Sequence, residues 1–219
     1  MKKLLITIDG PAGAGKTTVS KMLSEKLGYI YVDTGALYRG VALEAINRGV
    51  SPDDEKNLDA LCRSLDLKFI MEDQKPVLMS GGNDISGLIR TPEVTMMASA
   101  VSAKKVVRDF LFHLQRRLGQ EKGAVFEGRD MGTVVFPDAD IKFYLDAAVE
   151  DRAKRRYDQV KSTSKQTLEE IRKDILARDK NDSNRDIAPL KPAEDAVIID
   201  STPLTAVEVV GTMMTHINI

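Results

Sequence analysis

Short runs of apolar residues alternate along this chain with longer segments in which apolar positions recur at helical spacing. Five of the runs predict strands: residues 4–8, 29–32, 124–126, 141–145 and 196–199. Strands without an alternating polar face, separated by helices, are typical of a parallel sheet that is covered on both sides. We therefore expect an α/β fold of three layers around a five-stranded parallel sheet.

The residues that directly follow these runs are polar. They are Asp9 after the first run, Asp33 after the second, Glu127 to Asp130 after the third, Asp146 after the fourth, and Asp200 with Ser201 after the fifth. The carboxyl ends of parallel strands share one edge of the sheet, and ligands bind there. The chemistry of the protein is expected at this edge.

A glycine-rich segment follows the first strand. It consists of Gly10, Pro11, Ala12, Gly13, Ala14, Gly15, Lys16, Thr17 and Thr18. The segment matches a phosphate-binding motif that consists of a glycine, any four residues and then Gly-Lys-Thr. This motif requires a strand before it and a helix after it, and the sequence predicts both. Glycines let backbone N–H groups point at phosphate oxygens, and the start of the next helix adds a favourable field. Lys16 would reach the outer phosphates and the Thr17 hydroxyl would bind Mg²⁺, whereas the alternative is an ordinary glycine-rich turn.

Residues 33–39, Asp-Thr-Gly-Ala-Leu-Tyr-Arg, predict a turn followed by a helix. The first turns of this helix carry Arg39 near the same sheet edge. Arg39 is a candidate for binding a second anion, and a solvated surface arginine is an equal alternative from this segment alone.

About ninety residues separate the second and third strands, far more than one crossover helix needs. Residues 67–71 and 76–80 predict a hairpin, and 92–100 and 104–122 predict helices. We expect an inserted, mobile subdomain here.

Residues 79–83, Met-Ser-Gly-Gly-Asn, are similar to the Leu-Ser-Gly-Gly-Gln signature of transporter ATPases. Because they follow a strand, whereas that signature begins a helix, we interpret them as a turn.

The third strand leads into Glu127, Gly128, Arg129 and Asp130. An arginine and an aspartate on a tight turn could bind a phosphate and a hydrogen-bond donor together. A salt bridge that caps the turn is the alternative. Glu127 would also fit the end of a Walker-type acidic strand and so an ATPase, but a second acid directly after it is missing.

Residues 151–185 form a second polar insertion, in which eleven Lys and Arg against seven Asp and Glu give a local charge of +4. Helical spacing predicts two charged faces. One would carry Arg152, Arg155 and Arg156, and the other Arg178, Asp182 and Arg185 if the helix from residue 165 continues that far. Such faces are usually solvated surface, but beside a phosphate-binding loop they favour anion binding.

Composition narrows the class of function. The 219 residues include 32 basic and 33 acidic side chains, for a net charge of -1, so no global excess of charge attracts nucleic acid or membrane. One cysteine, Cys62, which we interpret as a packing residue, excludes a disulfide framework. The two histidines, His113 and His216, lie far from the polar strand ends, which argues against a histidine triad or a zinc-bound water. No segment is long enough to span a bilayer, so we expect a soluble, cytoplasmic protein.

A triphosphate-binding loop, many arginines and no obvious protein nucleophile together favour phosphoryl transfer between two bound phosphates. The acceptor phosphate is itself the nucleophile, so the enzyme must align donor and acceptor, neutralise charge and exclude water.

Four motifs resemble those of the bacterial cytidylate kinases, and the resemblance extends nearly from end to end. They are residues 6–16, 33–39, 128–135 and 178–185, supported by Ile89-Arg90-Thr91 and Ala188-Pro189-Leu190. The phosphate loop alone marks only a large nucleotide-binding class, whereas the other three motifs in this order are specific. The resemblance implies an enzyme that transfers phosphate from ATP, with Mg²⁺, to CMP or dCMP on the nucleoside monophosphate kinase core.

The resemblance also implies roles for individual residues. Residues 10–18 would bind ATP. The phosphate of CMP would be bound by Arg39, Arg129 and Arg185, the sugar by Arg178 and Asp182, and the cytosine edge by Ser99, Arg108 and Asp130. Thr34 would also contact the substrate. Lys16 and Arg129 would act in catalysis with Arg152 and Arg156, which would move in from a lid.

For domain organisation, the resemblance implies a core of residues 1–35, 104–150 and 186–219, a monophosphate-binding insertion of about 36–103 and a helical lid of about 151–185. Residues 162–164, Ser-Thr-Ser, lack the glycine often found near the lid tip, which leaves lid closure kinetics open. We expect a monomer that binds ATP and CMP or dCMP, with no nucleic-acid or membrane partner.

Three rival functions remain on the sequence alone. The first is a related small kinase that uses AMP, UMP or a non-nucleotide acceptor. The second is a GTPase or ATPase switch, although the chain has no Asn-Lys-x-Asp motif for guanine. The third is a binding module without catalysis.

Overall fold

The computed structural model describes residues 3–72, 75–162 and 164–218. The chain divides into two compact units, one formed by Met1–Tyr31 with Glu121–Ile219 and the other by Val32–Gln120. The strands of the described residues are β1 (Leu5–Asp9), β2 (Ile30–Asp33), β3 (Leu67–Glu72), β4 (Lys75–Ser80), β5 (Asn83–Asp84), β6 (Ala124–Glu127), β7 (Ile141–Asp146) and β8 (Val197–Asp200). The helices are α1 (Lys16–Leu27), α2 (Thr34–Asn47), α3 (Glu55–Ser64), α4 (Pro92–Val101), α5 (Lys105–Leu118), α6 (Val149–Val160), α7 (Leu168–Asn184) and α8 (Ala206–Thr215), and a π-helical turn spans Met131–Val135.

The five strands predicted from the apolar runs form one sheet, in the order β2-β6-β1-β7-β8. The central strand β1 runs parallel to β6 on one side and to β7 on the other, and β7 runs parallel to β8. Every residue of β1 and of β6 is buried, which explains why these strands lack a polar face. The predicted α/β fold with a five-stranded parallel sheet is confirmed.

The first unit has its core on this sheet. Ile6 and Ile8 of β1 are fully buried, as are Leu23 of α1 and Met213 of α8. Burying one such side chain stabilises the fold by about 1.5–3 kcal/mol. This packing holds the carboxyl end of β1, where the glycine-rich segment begins, in a fixed position.

The second unit has a core of its own, formed by α2 to α5 and a three-stranded antiparallel sheet in the order β3-β4-β5. The predicted hairpin is confirmed, since Leu67 pairs with Ser80 and the pairing continues to Glu72 and Lys75. Residues 73 and 74, which belong to its predicted turn, lie outside the described residues. Gly81 and Gly82 have positive φ and join β4 to β5, so the segment 79–83 does form a turn rather than the start of a helix.

Capping residues make three helices shorter than the sequence pattern predicts. The helix predicted over 104–122 ends at Leu118, where Gly119 closes the last turn through backbone hydrogen bonds. The helix predicted from residue 165 begins after Thr167, which forms a capping box with Glu170, and it ends at Asn184, one residue before Arg185. The final helix, predicted over 203–217, is bounded at its start by the same kind of box at Thr205.

Along the stretches of chain that the structure describes, no helix has both the length and the apolar character required to cross a bilayer.

Candidate active site

The glycine-rich segment joins β1 to α1 as a tight loop. Gly10, Gly13 and Gly15 have φ values of 145°, 80° and 93°, which other residues rarely adopt. A Cβ atom on Gly10 would lie 2.0 Å from the carbonyl oxygen of Leu145 at the end of β7. The loop therefore packs against the neighbouring strand so closely that only glycine fits at its first position. We refer to residues 10–18 as the phosphate loop.

Lys16 lies over this loop and is 6% exposed. Its Nζ donates hydrogen bonds to the carbonyl oxygens of Gly10, at 2.7 Å, and Pro11, at 2.6 Å. Burial lowers the pKa of Lys16 well below its usual value, and the positive charges of Arg129 and Arg178 lower it further. The negative charges of Glu127 and Asp9 raise the pKa of Lys16 and so offset part of this effect.

Thr17 follows Lys16 and faces the end of β6. Its Oγ1 donates a hydrogen bond of 2.8 Å to Oε1 of Glu127. A hydroxyl and a carboxylate side by side are oxygen donors of the kind that Mg²⁺ prefers, so these residues fit the ion. Within residues 3–72, 75–162 and 164–218, no group of three or more His, Cys, Asp or Glu side chains is placed to hold a metal ion.

Asp9, the last residue of β1, binds the π-helical turn. Its two carboxylate oxygens accept hydrogen bonds from the backbone N–H groups of Met131, at 2.9 Å, and Gly132, at 2.7 Å. Burial raises the pKa of Asp9 to about 6, although these two donors oppose the rise. Asp9 therefore fixes the segment after β6 to the start of the phosphate loop, a role that its sequence position alone does not indicate.

Two ion pairs connect the turn after β6 with the end of α7. Nε of Arg129 lies 3.0 Å from Oδ2 of Asp182, and Nη2 of Arg185 lies 3.4 Å from Oδ1 of Asp130. Three of these side chains are less than a tenth exposed, and that of Arg129 is a fifth exposed. The structure thus brings four of the predicted substrate-binding residues together, in pairs across two segments. A buried ion pair gains little stability because both charges lose their hydration, so stability alone does not account for this arrangement.

The arginines of α6 have three different environments. Arg152 is buried and its Nη1 donates to the carbonyl oxygen of Ala12 in the phosphate loop, at 3.0 Å, and to Oδ2 of Asp179, at 2.6 Å. Arg155 is half-buried and contacts the turn after β8, and Arg156 is exposed. Arg152 therefore already lies against the phosphate loop, whereas Arg156 points to solvent. Arg178 lies half-buried on α7.

In the second unit, Arg39 is only 17% exposed and forms an ion pair of 2.7 Å with Asp33. The alternative of a solvated arginine is therefore wrong for this residue. Asp33 also caps α2 by accepting from the Ala36 N–H, at 3.0 Å, and it lies 3.6 Å from Nη2 of Arg90. Thr34, buried, is the first residue of the helix. The carboxylate of Asp33 thus lies beside two guanidinium groups, that of Arg39 from the same motif and that of Arg90 from a later segment.

Ser99 and Arg108 lie at the junction of α4 and α5. Nη1 of Arg108 donates to the carbonyl oxygen of Ser102, at 3.2 Å, and the Ser102 hydroxyl donates to the carbonyl oxygen of Ser99, at 2.8 Å. The guanidinium of Arg108 also lies 5.7 Å from the centre of the Tyr38 ring, within range of a cation–π interaction. These two predicted base-reading residues are therefore neighbours in one unit.

A phosphate loop between the first strand and the first helix of a five-stranded parallel sheet defines the class of P-loop proteins by fold. Two solved structures support the assignment of fold. Shikimate kinase from Acinetobacter baumannii in complex with shikimate aligns with a TM-score of 0.51 at 17% identity, over 98% of this chain and 93% of its own. An uncharacterized protein from Eubacterium ventriosum aligns with a TM-score of 0.55 at 11% identity, over 98% of both chains.

The sequence comparisons then identify the family. The family model described as cytidylate kinase matches residues 6–219. The cytidylate kinase of Geobacter sulfurreducens is 47% identical over 96% of this chain and 91% of its own. That of Halalkalibacterium halodurans is 45% identical over 99% and 98%, and that of Pasteurella multocida is 46% identical over 98% and 95%. The chain belongs to the cytidylate kinase family.

Proposed function

We propose that this protein transfers the γ-phosphoryl group of ATP to CMP or dCMP, giving ADP and CDP or dCDP. The observation that carries the proposal is the glycine-rich loop with two cationic side chains bound to it. Lys16 Nζ donates to the carbonyl oxygens of Gly10 and Pro11, and Arg152 Nη1 donates to that of Ala12. A site of this kind favours a polyphosphate, and membership in the cytidylate kinase family supplies the acceptor.

The donor would bind in the phosphate loop. Lys16 Nζ, which donates to the carbonyl oxygens of Gly10 and Pro11, would donate to the β- and γ-phosphates instead. A charged acceptor forms the stronger hydrogen bond, and the negative charge returns the pKa of the lysine towards its usual value. The protonated amine would then stabilise the charge that develops on the transferred group.

Magnesium would be held by the hydroxyl of Thr17, with Glu127 beside it. When bound, the ion supplies positive charge to the phosphate oxygens. Thr17 and Glu127 orient one another through their hydrogen bond, and this pair would fix the position of the ion relative to the loop.

The acceptor phosphate would be bound by arginines that now pair with carboxylates. Arg129 and Arg185 would bind the phosphate of CMP together with Arg39, while Asp182 and Arg178 would bind the sugar hydroxyls. Aligned reactants convert the reaction into an effectively unimolecular step. Arg152 and Arg156 would contribute positive charge from α6.

The cytosine ring would be recognised by its pattern of donors and acceptors. The carboxylate of Asp130 would accept from the exocyclic amino group, and Ser99 and Arg108 would donate to the ring acceptors. Thr34 would be a further contact with the substrate. Uracil carries a carbonyl oxygen where cytosine carries the amino group, so it leaves the carboxylate without a donor.

Residues 36–103 would form the monophosphate-binding insertion, residues 151–185 the lid, and the remaining segments 1–35, 104–150 and 186–219 the core. Thr163, at the predicted lid tip, lies outside the described residues. We further propose that the protein acts as a monomer in the cytoplasm.

A coupled assay of ADP formation tests the proposal when CMP, dCMP, UMP and AMP are offered separately with ATP and Mg²⁺. We expect rapid turnover with CMP and dCMP and much slower turnover with UMP and AMP. A clear preference for AMP would contradict the assignment of acceptor. ADP formation that is undiminished when no acceptor is added would instead favour the ATPase alternative.

A further inference from the structure

The turn after β8 contacts the phosphate loop through a buried serine. Ser201 is 3% exposed, and its Oγ donates a hydrogen bond of 3.1 Å to the carbonyl oxygen of Ala14. Its backbone N–H donates to the carbonyl oxygen of Asp146 at 2.8 Å, which anchors the serine to the end of β7. A side chain from the far end of the chain thus binds the backbone of the loop.

A second side chain determines the direction of the serine hydroxyl. Nη1 of Arg155 donates to Oγ of Ser201 at 3.0 Å, and Nη2 donates to the carbonyl oxygen of the same residue at 2.6 Å. A guanidinium group has only donors, and a hydroxyl has one hydrogen. Because Oγ accepts from Arg155, its own hydrogen is available to the Ala14 carbonyl.

This hydrogen bond fixes one peptide plane of the loop. In a trans peptide the carbonyl of Ala14 and the N–H of Gly15 lie in one plane and point in opposite directions. Holding the carbonyl towards Ser201 therefore directs the Gly15 N–H away from Ser201. Gly15 has a φ of 93°, and a Cβ at this position would have no atom within 4 Å. Packing around Gly15 therefore does not restrain the peptide between Ala14 and Gly15. The hydrogen bond from Ser201 supplies that restraint.

We propose that Ser201 is a positioning residue of the phosphate loop, held in its rotamer by Arg155, and that it preorganises the Gly15 N–H for a phosphate group of the bound nucleotide. The inference rests on the proposed binding of ATP to this loop. Arg155 lies on α6, the helix that also carries Arg152. The contacts from Arg155 to Ser201 and from Ser201 to Ala14 therefore connect the proposed lid segment with the phosphate loop.

The test measures the affinity of ATP by titration calorimetry and the KM values for ATP and CMP. Ser201→Ala is expected to weaken ATP binding about fivefold to tenfold, the effect of losing one hydrogen bond that orders the site. KM for ATP is expected to rise by a similar factor and KM for CMP to change less than twofold. Arg155→Met is expected to weaken ATP binding about twofold to threefold, since it leaves the hydroxyl present but free to rotate.

A double variant shows whether Arg155 acts on the loop through Ser201 or whether the two residues affect ATP binding independently. Because Arg155 acts through Ser201, Ser201→Ala with Arg155→Met is expected to bind ATP about as well as Ser201→Ala alone. The matched control is Ser24→Ala, which removes another buried serine hydroxyl that donates to a backbone carbonyl, that of Lys21 in α1. This control is expected to bind ATP like the wild type.

Wild-type affinity in a folded Ser201→Ala variant would overturn the inference, as would additive losses in the double variant or an equal loss in Ser24→Ala. If Ser201→Ala does not fold, wild-type affinity in Arg155→Met overturns it instead. These outcomes are distinct from failure of the proposed function, which the wild type alone would reveal by binding ATP without phosphorylating CMP.

Discussion

Individual residues at this site are held in unfavourable electrostatic states. Burial raises the pKa of the Asp9 carboxyl and lowers that of the Lys16 ammonium, so each loses part of its preference for the charged form. The Asp9 carboxylate accepts from two backbone N–H groups, which offset part of the cost of its burial. The Lys16 ammonium donates to two carbonyl oxygens of the phosphate loop. Perturbed groups of this kind cluster at functional sites.

Lys16→Met is expected to abolish most turnover while the fold is retained. The variant keeps the apolar stem but loses the charge that would stabilise the transferred phosphoryl group, so kcat should fall by about a hundredfold to a thousandfold. Steady-state kinetics and circular dichroism measure the two effects. Lys26→Met, on the exposed side of the same helix, is the control. A Lys16→Met variant with normal kcat and weaker ATP binding would favour a role in binding alone.

Asp9→Asn is expected to change how stability depends on pH. The folded-state pKa of Asp9 is raised from its ordinary 3.8 to about 6, so its contribution is fully present below about pH 4 and is lost as the pH rises through 6. Relative to the asparagine variant, the wild type should lose about 3 kcal/mol of unfolding free energy between these limits. Urea unfolding of both proteins at a series of pH values measures the difference. A difference that stays constant with pH would contradict the raised pKa.

At the scale of secondary-structure elements, those whose sequence signals are local could be predicted from the sequence. The strands and the phosphate loop are predictable because their signals are local, in the period of apolar residues and the spacing of glycines. The helix α3 gave no prediction, although Asp54 caps it by accepting from the Asn57 N–H.

The π-helical turn is a different case, because its cause is not local. Its sequence, Met-Gly-Thr-Val-Val, is as compatible with a strand as with a helix. The turn is stabilised by Asp9, whose carboxylate accepts hydrogen bonds from the first two N–H groups of the turn. Asp9 lies 122 and 123 positions before these two residues in the chain. The ion pair of Arg129 with Asp182, 53 positions apart, depends equally on tertiary structure. The resemblance predicts these residues as a set, but not which of them pair.

Two glycines of the phosphate loop allow a matched test at the level of the element. Gly10→Ala places a Cβ 2.0 Å from the Leu145 carbonyl oxygen, so β1 and β7 would have to separate. We expect a loss of about 4 kcal/mol or more of unfolding free energy. Gly15→Ala meets no atom within 4 Å and should lose only about 1–2 kcal/mol from its backbone conformation. Chemical denaturation measures both, and equal losses would show that the contact with β7 does not control the loop.

At the scale of the whole molecule, two large hydrophobic cores in the described parts of the chain have no buried residue in common, and a smaller cluster packs α6 against α7. One lies on the parallel sheet and supports the phosphate loop, and the other lies among α2 to α5 and supports Arg39, Ser99 and Arg108. The sequence predicts an insertion in this region from the long segment between the second and third strands. Each group of candidate residues is therefore supported by a core of its own.

Core substitutions should accordingly act mainly within one unit. Leu58→Ala in the second unit and Leu23→Ala in the first each remove a fully buried side chain and should cost about 2–5 kcal/mol. Hydrogen exchange is expected to increase chiefly within residues 32–120 for Leu58→Ala and chiefly outside them for Leu23→Ala. Exchange that increases equally in both units for either variant would show a single cooperative core.

The most direct test of the central claim follows the phosphoryl group itself. Wild-type protein is incubated with Mg²⁺ and ATP that carries a label on its γ-phosphate, with and without CMP, and the labelled products are separated. The account predicts that the label appears in CDP when CMP is present and stays in ATP when it is absent. Label released as inorganic phosphate at the same rate in both reactions, with none in CDP, would contradict it.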